Sequence, residues 1–167
     1  AQFTAAGKPS KKKNLAQMAI SYGHIYVAQV AMGANYDQTL KAIVEAESYD
    51  GPSLIIGYAP CINHGIKAGM DKAMLEMRNA VHSSYWNLLR YDPRLAAEGK
   101  KALTVDSRYP SMDYNDFIMG EVRYNSLTLT FPERAEKLFA QAEEDAESRF
   151  EDLLEQRDEE DGQGNQG

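Results

Sequence analysis

Cysteine is nearly absent: Cys61 stands alone among 167 residues. One thiol excludes an intrachain disulfide and any self-contained site of two to four thiolates, whether zinc or iron-sulfur. Long apolar runs are absent too. Nothing approaches the ~18 uninterrupted apolar residues of a membrane span, and mean hydropathy is -0.54, so the sequence reads as that of a soluble protein. There is no Gly-x-Ser-x-Gly elbow, no phosphate-cradling glycine-rich loop and no His-Glu-x-x-His helix, which removes three common catalytic designs. The opening Ala1-Gln2-Phe3-Thr4-Ala5-Ala6-Gly7-Lys8 has neither an initiating Met nor the charged-then-apolar layout of a signal peptide. It reads as a cut, so a piece of a longer protein is expected.

Acids are missing from one end and crowd the other. Residues 1–36 hold four lysines (Lys8, Lys11, Lys12, Lys13) and no acid, residues 37–130 hold 12 acids against 10 bases, and residues 131–167 hold 13 acids against 4 bases. The sum is a net charge of -7. Four lysines without arginine make a weak footprint for nucleic acid and read as a solvated loop. The acidic end would repel nucleic acid and anionic membranes. Neither partner is expected.

What is present is ordinary globular material, 43% hydrophobic and 26% charged, in a length suited to one domain. Asn14 with Gln17 forms a capping pattern for a helix carrying Leu15, Met18, Ala19 and Tyr22, stopped by Gly23. Residues 25–30 read as a strand. After Gly33-Ala34-Asn35, the stripe Leu40, Ile43 and Val44 marks an amphipathic helix from Tyr36 to about Glu47, which Asp50-Gly51-Pro52 breaks. The nearly continuous apolar run of residues 53–58 is what a parallel strand buried on both faces looks like. Residues 25–58 therefore predict a β-α-β crossover, a partial parallel sheet of the α/β class.

Further on, Met70, Ala73, Met74, Met77, Ala80 and Val81 form a helical stripe, read as core. Residues 86–91 are read as another strand and residues 92–112 as irregular. Asp113 caps a helix reaching Val122 or beyond, and Thr130-Phe131-Pro132-Glu133 opens a long helix. Its apolar stripe is Ala135, Phe139, Ala142, Ala146, Phe150 and Leu153. The expected organisation is a loop over 1–13, an α/β unit over 14–91, an irregular segment with a short helix over 92–130, a long acidic helix over 131–161 and a disordered tail over 162–167.

The candidate chemistry is confined to one loop. Ala59-Pro60-Cys61-Ile62-Asn63-His64-Gly65 leaves the carboxyl end of the second strand, where open α/β sheets place ligands. Cys61 and His64 make half of a metal motif, and no second cysteine completes it. By itself, a lone thiol reads as a buried structural residue, whereas its place beside Pro60 and the polar Asn63-His64 pair favours function. His24 and His82 read as satisfied structural histidines.

These segments resemble a known family. Tyr22-Gly23 leading into Tyr26-Val27-Ala28, Met32-Gly33, Glu45-Ala46-Glu47 and Gly51-Pro52-Ser53-Leu54 look like the later part of the thiamine-diphosphate domain of bacterial pyruvate:ferredoxin (flavodoxin) oxidoreductase. Tyr58 through Gly65, Gly69-Met70, Tyr85-Trp86 and Arg90 through Leu95 continue the match in order, over roughly Ala5 to Pro110. The resemblance implies a large, homodimeric, cytoplasmic enzyme that decarboxylates pyruvate on thiamine diphosphate and Mg2+. It passes electrons through 4Fe-4S clusters to ferredoxin or flavodoxin and leaves acetyl-coenzyme A. It also implies that Cys61 is the fourth ligand of the cluster nearest thiamine, the other three lying upstream; Asn63 and His64 read either as neighbours that tune that cluster or as solvated loop residues.

The same resemblance marks what is missing. The family's Gly-Asp-Gly and following Asn, which hold magnesium and diphosphate, precede Ala1, and its ring-activating glutamate belongs to another domain. No catalytic residue is therefore expected here, and the chain alone is expected to be inactive. Residues 14–91 would be the later half of the coenzyme domain, with a mostly helical C-terminal tail. The choice of 2-oxoacid and of ferredoxin or flavodoxin stays open. The rival reading is a non-catalytic acidic α/β interaction module, which requires covered sheet edges.

Overall fold

The structure is a computed structural model that describes residues 12–163, with side chains through Glu159. The loop expected over 1–13 and the tail expected over 162–167 lie mostly outside the described residues, and the last helix runs on to Gln163.

A short helix, α1 (Leu15–Ile20), starts where the Asn14 side chain accepts from the Gln17 N–H at 3.1 Å. Strand β1 (Tyr26–Val30) follows, then α2 (Tyr36–Ser48), capped by Asn35, whose side chain accepts from the Gln38 N–H at 2.9 Å. Strand β2 (Ser53–Gly57) lies parallel to β1, with Tyr26 opposite Ser53 and Val30 opposite Gly57. The expected β-α-β unit is there, α2 packing on the two strands it joins.

Helix α3 (Ala73–His82), preceded by a 3-10 turn at Met70–Lys72, does not cross back over the sheet. It packs against a later helix, so β3 (Leu89–Tyr91) runs antiparallel to β1. Between them, residues 83–87 make a tight link in which Ser84 adopts a positive φ of 58° and is buried. Helix α4 (Pro93–Ala97) and strand β4 (Leu103–Val105) occupy the stretch read as irregular, and β4 pairs antiparallel with β3. The sheet order is β2-β1-β3-β4. The α/β class holds, with the parallel pairing confined to β2-β1.

Helix α5 (Tyr114–Gly120) starts at Asp113, whose carboxylate accepts from the N–H groups of Asn115 and Asp116. Extended backbone at Glu121 (φ -84°, ψ 117°) ends it and begins α6 (Val122–Thr130). Thr130 does not cap the last helix: it closes α6, its hydroxyl donating to the Ser126 carbonyl at 2.9 Å. The last helix, α7 (Pro132–Gln163), opens on its proline. Of its expected stripe, Ala135, Phe139, Ala146, Phe150 and Leu153 are buried.

α2 and β2 correct the sequence reading. The stripe Leu40, Ile43 and Val44, expected to face the core, is 49%, 50% and 59% exposed. Helix α2 instead buries Gln38, Thr39 and Ala42 against Tyr26, Ala28 and Val30 of β1. On that face Arg90 donates to both carboxylate oxygens of Glu45 at 2.7 and 2.9 Å, and from Nε and Nη2 to Asp106 at 2.8 and 2.9 Å. Tyr26 donates to Glu45 at 2.8 Å, and Gln38 donates to Asp106 at 3.1 Å. A polar cluster under the helix demands a polar and small inner face, which turns the apolar stripe outward. Strand β2, expected to be buried on both faces, is an edge strand, with Ser53, Ile55 and Gly57 exposed.

The opposite face of the sheet is apolar. Ala16 and Ala19 of α1 meet Val27, and Leu153 of α7 meets Leu89 and Leu103. A second core, built from Phe117, Ile118, Leu127, Ala135 and Phe139, joins α5, α6 and the first half of α7. Among the described residues, no helix is long and apolar enough to cross a membrane.

Arg90 is the main cationic partner of two half-buried carboxylates, so Arg90→Met leaves Glu45 to Tyr26 and a 3.9 Å contact with Lys41, and Asp106 to Gln38. The expected loss is about 3–5 kcal/mol of folding free energy, read by denaturant unfolding. A loss below about 1 kcal/mol, typical of surface pairs, contradicts the cluster's structural role.

Candidate functional site

The loop from Tyr58 to Ile66 leaves β2 at its carboxyl end. The Tyr58 N–H donates to the Val30 carbonyl at 3.0 Å, which extends the parallel ladder by one step. The chain then turns, the Gly65 N–H donating to the Cys61 carbonyl at 2.9 Å, with Gly65 at φ 82° where a side chain would be strained. Cys61 sits at the outer bend, half-buried rather than hidden in the core. The backbone N–H groups of His64 and Asn63 face its sulfur and hold the thiol below the ordinary cysteine range, which favours the thiolate.

The other expected residues divide. Asn63 is exposed and offers its backbone rather than its side chain. His64 does the same, and its Nδ1 is buried without a hydrogen-bond partner among the described residues. His24 and His82 are exposed and bonded locally, to the Tyr22 carbonyl at 2.9 Å and the Ser111 hydroxyl at 3.3 Å. Among the described residues, no group of three His, Cys, Asp or Glu side chains could hold a metal ion. The loop offers one sulfur, whose thiolate the backbone N–H groups of His64 and Asn63 favour. That suits a thiolate completing an iron-sulfur cluster whose other ligands come from elsewhere, because hydrogen bonds to the sulfur stabilise its charge.

Beneath the loop lies polar machinery that periodicity did not reveal. Glu121 is 1% exposed. It accepts from the Tyr58 hydroxyl at 2.6 Å and pairs with Arg123 Nε at 3.5 Å. Burial, with the Glu121 carboxylate adding to it, raises the Tyr58 phenol far above its usual range, so Tyr58 stays a donor. Arg123 Nη2 and Lys12 Nζ both donate to the Tyr85 oxygen at 2.8 Å, and the Tyr124 hydroxyl lies 2.8 Å from it. Lys12 is therefore docked on an aromatic ring, 4.4 Å from the Tyr85 centroid, instead of being wholly solvated. Burial pushes the Tyr85 phenol up, but Lys12 and Arg123 outweigh it and bring it below the ordinary range.

Glu76, on the inner face of α3, is 5% exposed. One of its oxygens accepts from Asn79 at 3.2 Å while the other has no hydrogen-bond partner among the described residues. Burial raises its carboxyl, Asn79 opposes that, and the Glu121 charge adds to it. Its position among Ala73, Met77 and Ala80 at helical spacing was the one signal available in the sequence.

The geometry thus defines an α/β segment that presents a single activated thiol beyond a parallel strand. No family model matches the chain. It is 56% identical over 151 residues to the pyruvate:ferredoxin oxidoreductase of Moorella thermoacetica and 55% identical over 150 residues to the pyruvate-flavodoxin oxidoreductase of Klebsiella pneumoniae. It is 47% identical over 150 residues to the mitochondrial pyruvate dehydrogenase (NADP+) of Euglena gracilis. Each match takes in 90% of the chain but only 13%, 13% and 8% of those proteins. The chain is a homologue of one segment of the pyruvate:ferredoxin (flavodoxin) oxidoreductases.

Two outcomes follow from the titrating groups. In the 167-residue chain, iodoacetamide should modify Cys61 with a pH midpoint below the ~8.5 of a free cysteine, followed by mass spectrometry; a midpoint above it contradicts the N–H contacts. Glu76 binds its proton more tightly folded than unfolded, so its contribution to stability is full at acid pH and is lost as pH rises through its raised folded pKa. Glu76→Gln should accordingly raise stability at pH 8 more than at pH 4, and an equal change at both pH values contradicts the burial effect.

Proposed function

We propose that this chain serves as a cluster-ligating segment of a pyruvate:ferredoxin or pyruvate:flavodoxin oxidoreductase. The reaction converts pyruvate and coenzyme A to acetyl-coenzyme A, carbon dioxide, one proton and two electrons, which pass to ferredoxin or flavodoxin. Cys61 supplies one thiolate to a 4Fe-4S cluster, and three come from outside these residues. When bound, the cluster accepts electrons one at a time. The remaining work of this chain is to present the sulfur, aim the His64 and Asn63 N–H groups at it, and support the sheet on which the coenzyme domain is completed. Thiamine diphosphate and Mg2+ are held by other segments, the enzyme is a homodimer in the cytoplasm, and this chain contributes no acid or base to the reacting carbons.

The observation that carries this reading is the half-buried, N–H-facing thiol of Cys61 at the carboxyl end of a parallel strand. The names of the relatives support the reaction. So do the bare edge of β2 and the outward stripe of α2, which suit a unit built to be covered by more protein. A self-contained interaction module calls for covered edges, and the described residues leave β2 without a neighbour on one side.

In a full-length enzyme containing this segment, Cys61→Ser should abolish the electron paramagnetic resonance signal of one cluster and slow electron transfer to the carrier. An unchanged set of cluster signals would sink the assignment.

A further inference from the structure

The loop that carries Cys61 is closed at its neck around Glu121. Its first residue, Tyr58, donates its hydroxyl to Glu121 Oε1 at 2.6 Å. Its last residue, Ile66, forms an antiparallel bridge with the backbone of Glu121. The two hydrogen bonds of that bridge come from the neighbours of Glu121: the Val122 N–H donates to the Gly65 carbonyl at 3.2 Å, and the Gly120 carbonyl accepts from the Lys67 N–H at 2.8 Å. The side chain of Glu121 therefore holds where the loop begins, and the backbone on either side of it holds where the loop ends.

The clamp is anchored on both sides. The Tyr58 ring is packed among Tyr85, Trp86 and Phe117, with centroids at 5.9, 5.8 and 6.5 Å. Glu121 forms the extended break between α5 and α6, so its own position is set by two helices. A carboxylate this deep is costly unless partnered, and here a phenol hydrogen-bonds it while the Arg123 guanidinium balances its charge from 3.5 Å, without a hydrogen bond among the described residues. The Gly65-to-Cys61 hydrogen bond ties the bend to the neck, so a shift at the neck moves the sulfur.

We infer that Glu121 is a positioning residue for the Cys61 thiolate, fixing through Tyr58 and Ile66 the geometry in which the sulfur meets the cluster. This rests on Cys61 being a cluster ligand. Loosening the neck admits water and reorients the thiolate, and hydration and sulfur hydrogen bonding both set cluster potentials. A residue that acted only in folding would change the melting temperature and leave the cluster of the folded enzyme as it was.

The test uses the cluster-replete full-length enzyme with Tyr58→Phe, Glu121→Gln and Glu121→Ala. The readouts are the g-values and midpoint potential of the cluster that Cys61→Ser removes. Tyr58→Phe deletes one oxygen atom from the neck; it should displace the g-values and move the potential to a more positive value with iron content retained. Glu121→Gln keeps an oxygen that accepts from Tyr58, and should lie nearer the parent than Glu121→Ala. Adding Tyr58→Phe to Glu121→Ala should produce no further shift. Should Glu121→Ala fail to fold, Tyr58→Phe and Glu121→Gln still decide. Parental g-values and potential in Tyr58→Phe overturn the inference, provided Cys61→Ser has removed the signal. If Cys61→Ser leaves every cluster signal in place, the ligand assignment itself is overturned.

Discussion

The sheet is organised around one buried guanidinium. Arg90 of β3 forks to Glu45 of α2 on one side and to Asp106, just past β4, on the other, with all four donor distances between 2.7 and 2.9 Å. Tyr26 of β1 and Gln38 of α2 join the same carboxylates. Such a network is a poor source of net stability, because desolvating three charges offsets most of their attraction. What it supplies is register. Sliding β3 by one residue would turn Arg90 toward the apolar face occupied by α1 and α7, and the short three-residue ladders of β3 and β4 have little else to prevent that.

That constraint propagates to the surface. Because α2 must offer Glu45 and Gln38 inward, its branched apolar residues are left pointing out, next to a strand edge that no other described strand pairs with. At the other end of the same two strands, the carboxyl-terminal loop is held by Glu121 and faces outward with its sulfur. Both features suit the proposed place of this chain as one segment of a longer enzyme, its relatives being many times longer.

The elements of the first third were legible because each has a local cause. Asn14 and Asn35 cap, Gly23 and Pro52 interrupt, and β-branched runs lie between them. The inner face of α2 was not legible, since the choice between its two stripes is made by Arg90, more than 40 residues later in the chain. Strand β4 is three residues long, and its pairing with β3 is set by tertiary contact rather than by propensity. Thr130 imitated a cap, yet it continued the preceding helix and bonded backward. At the site, Cys61 stood out as the lone thiol after a strand. Its support did not: Tyr58 and Glu121 are 63 residues apart, and nothing local to either signals the other.

The long acidic helix has a consequence for the order in which the molecule can be built. Its first half completes the core with α5 and α6, while Leu153 covers β3 and β4, and Gln156 accepts from Gln17 of α1 at 2.8 Å. During synthesis, which runs from the amino terminus, α1 is on hand to cover β1, but Leu89 of β3 and Leu103 of β4 precede Leu153, the residue that covers them, by 64 and 50 residues. The first strand is covered by a helix made before it, and the last two are sealed by a helix made after them. The abundance of acid on the outer faces of α7 lets that late strap remain hydrated until it docks.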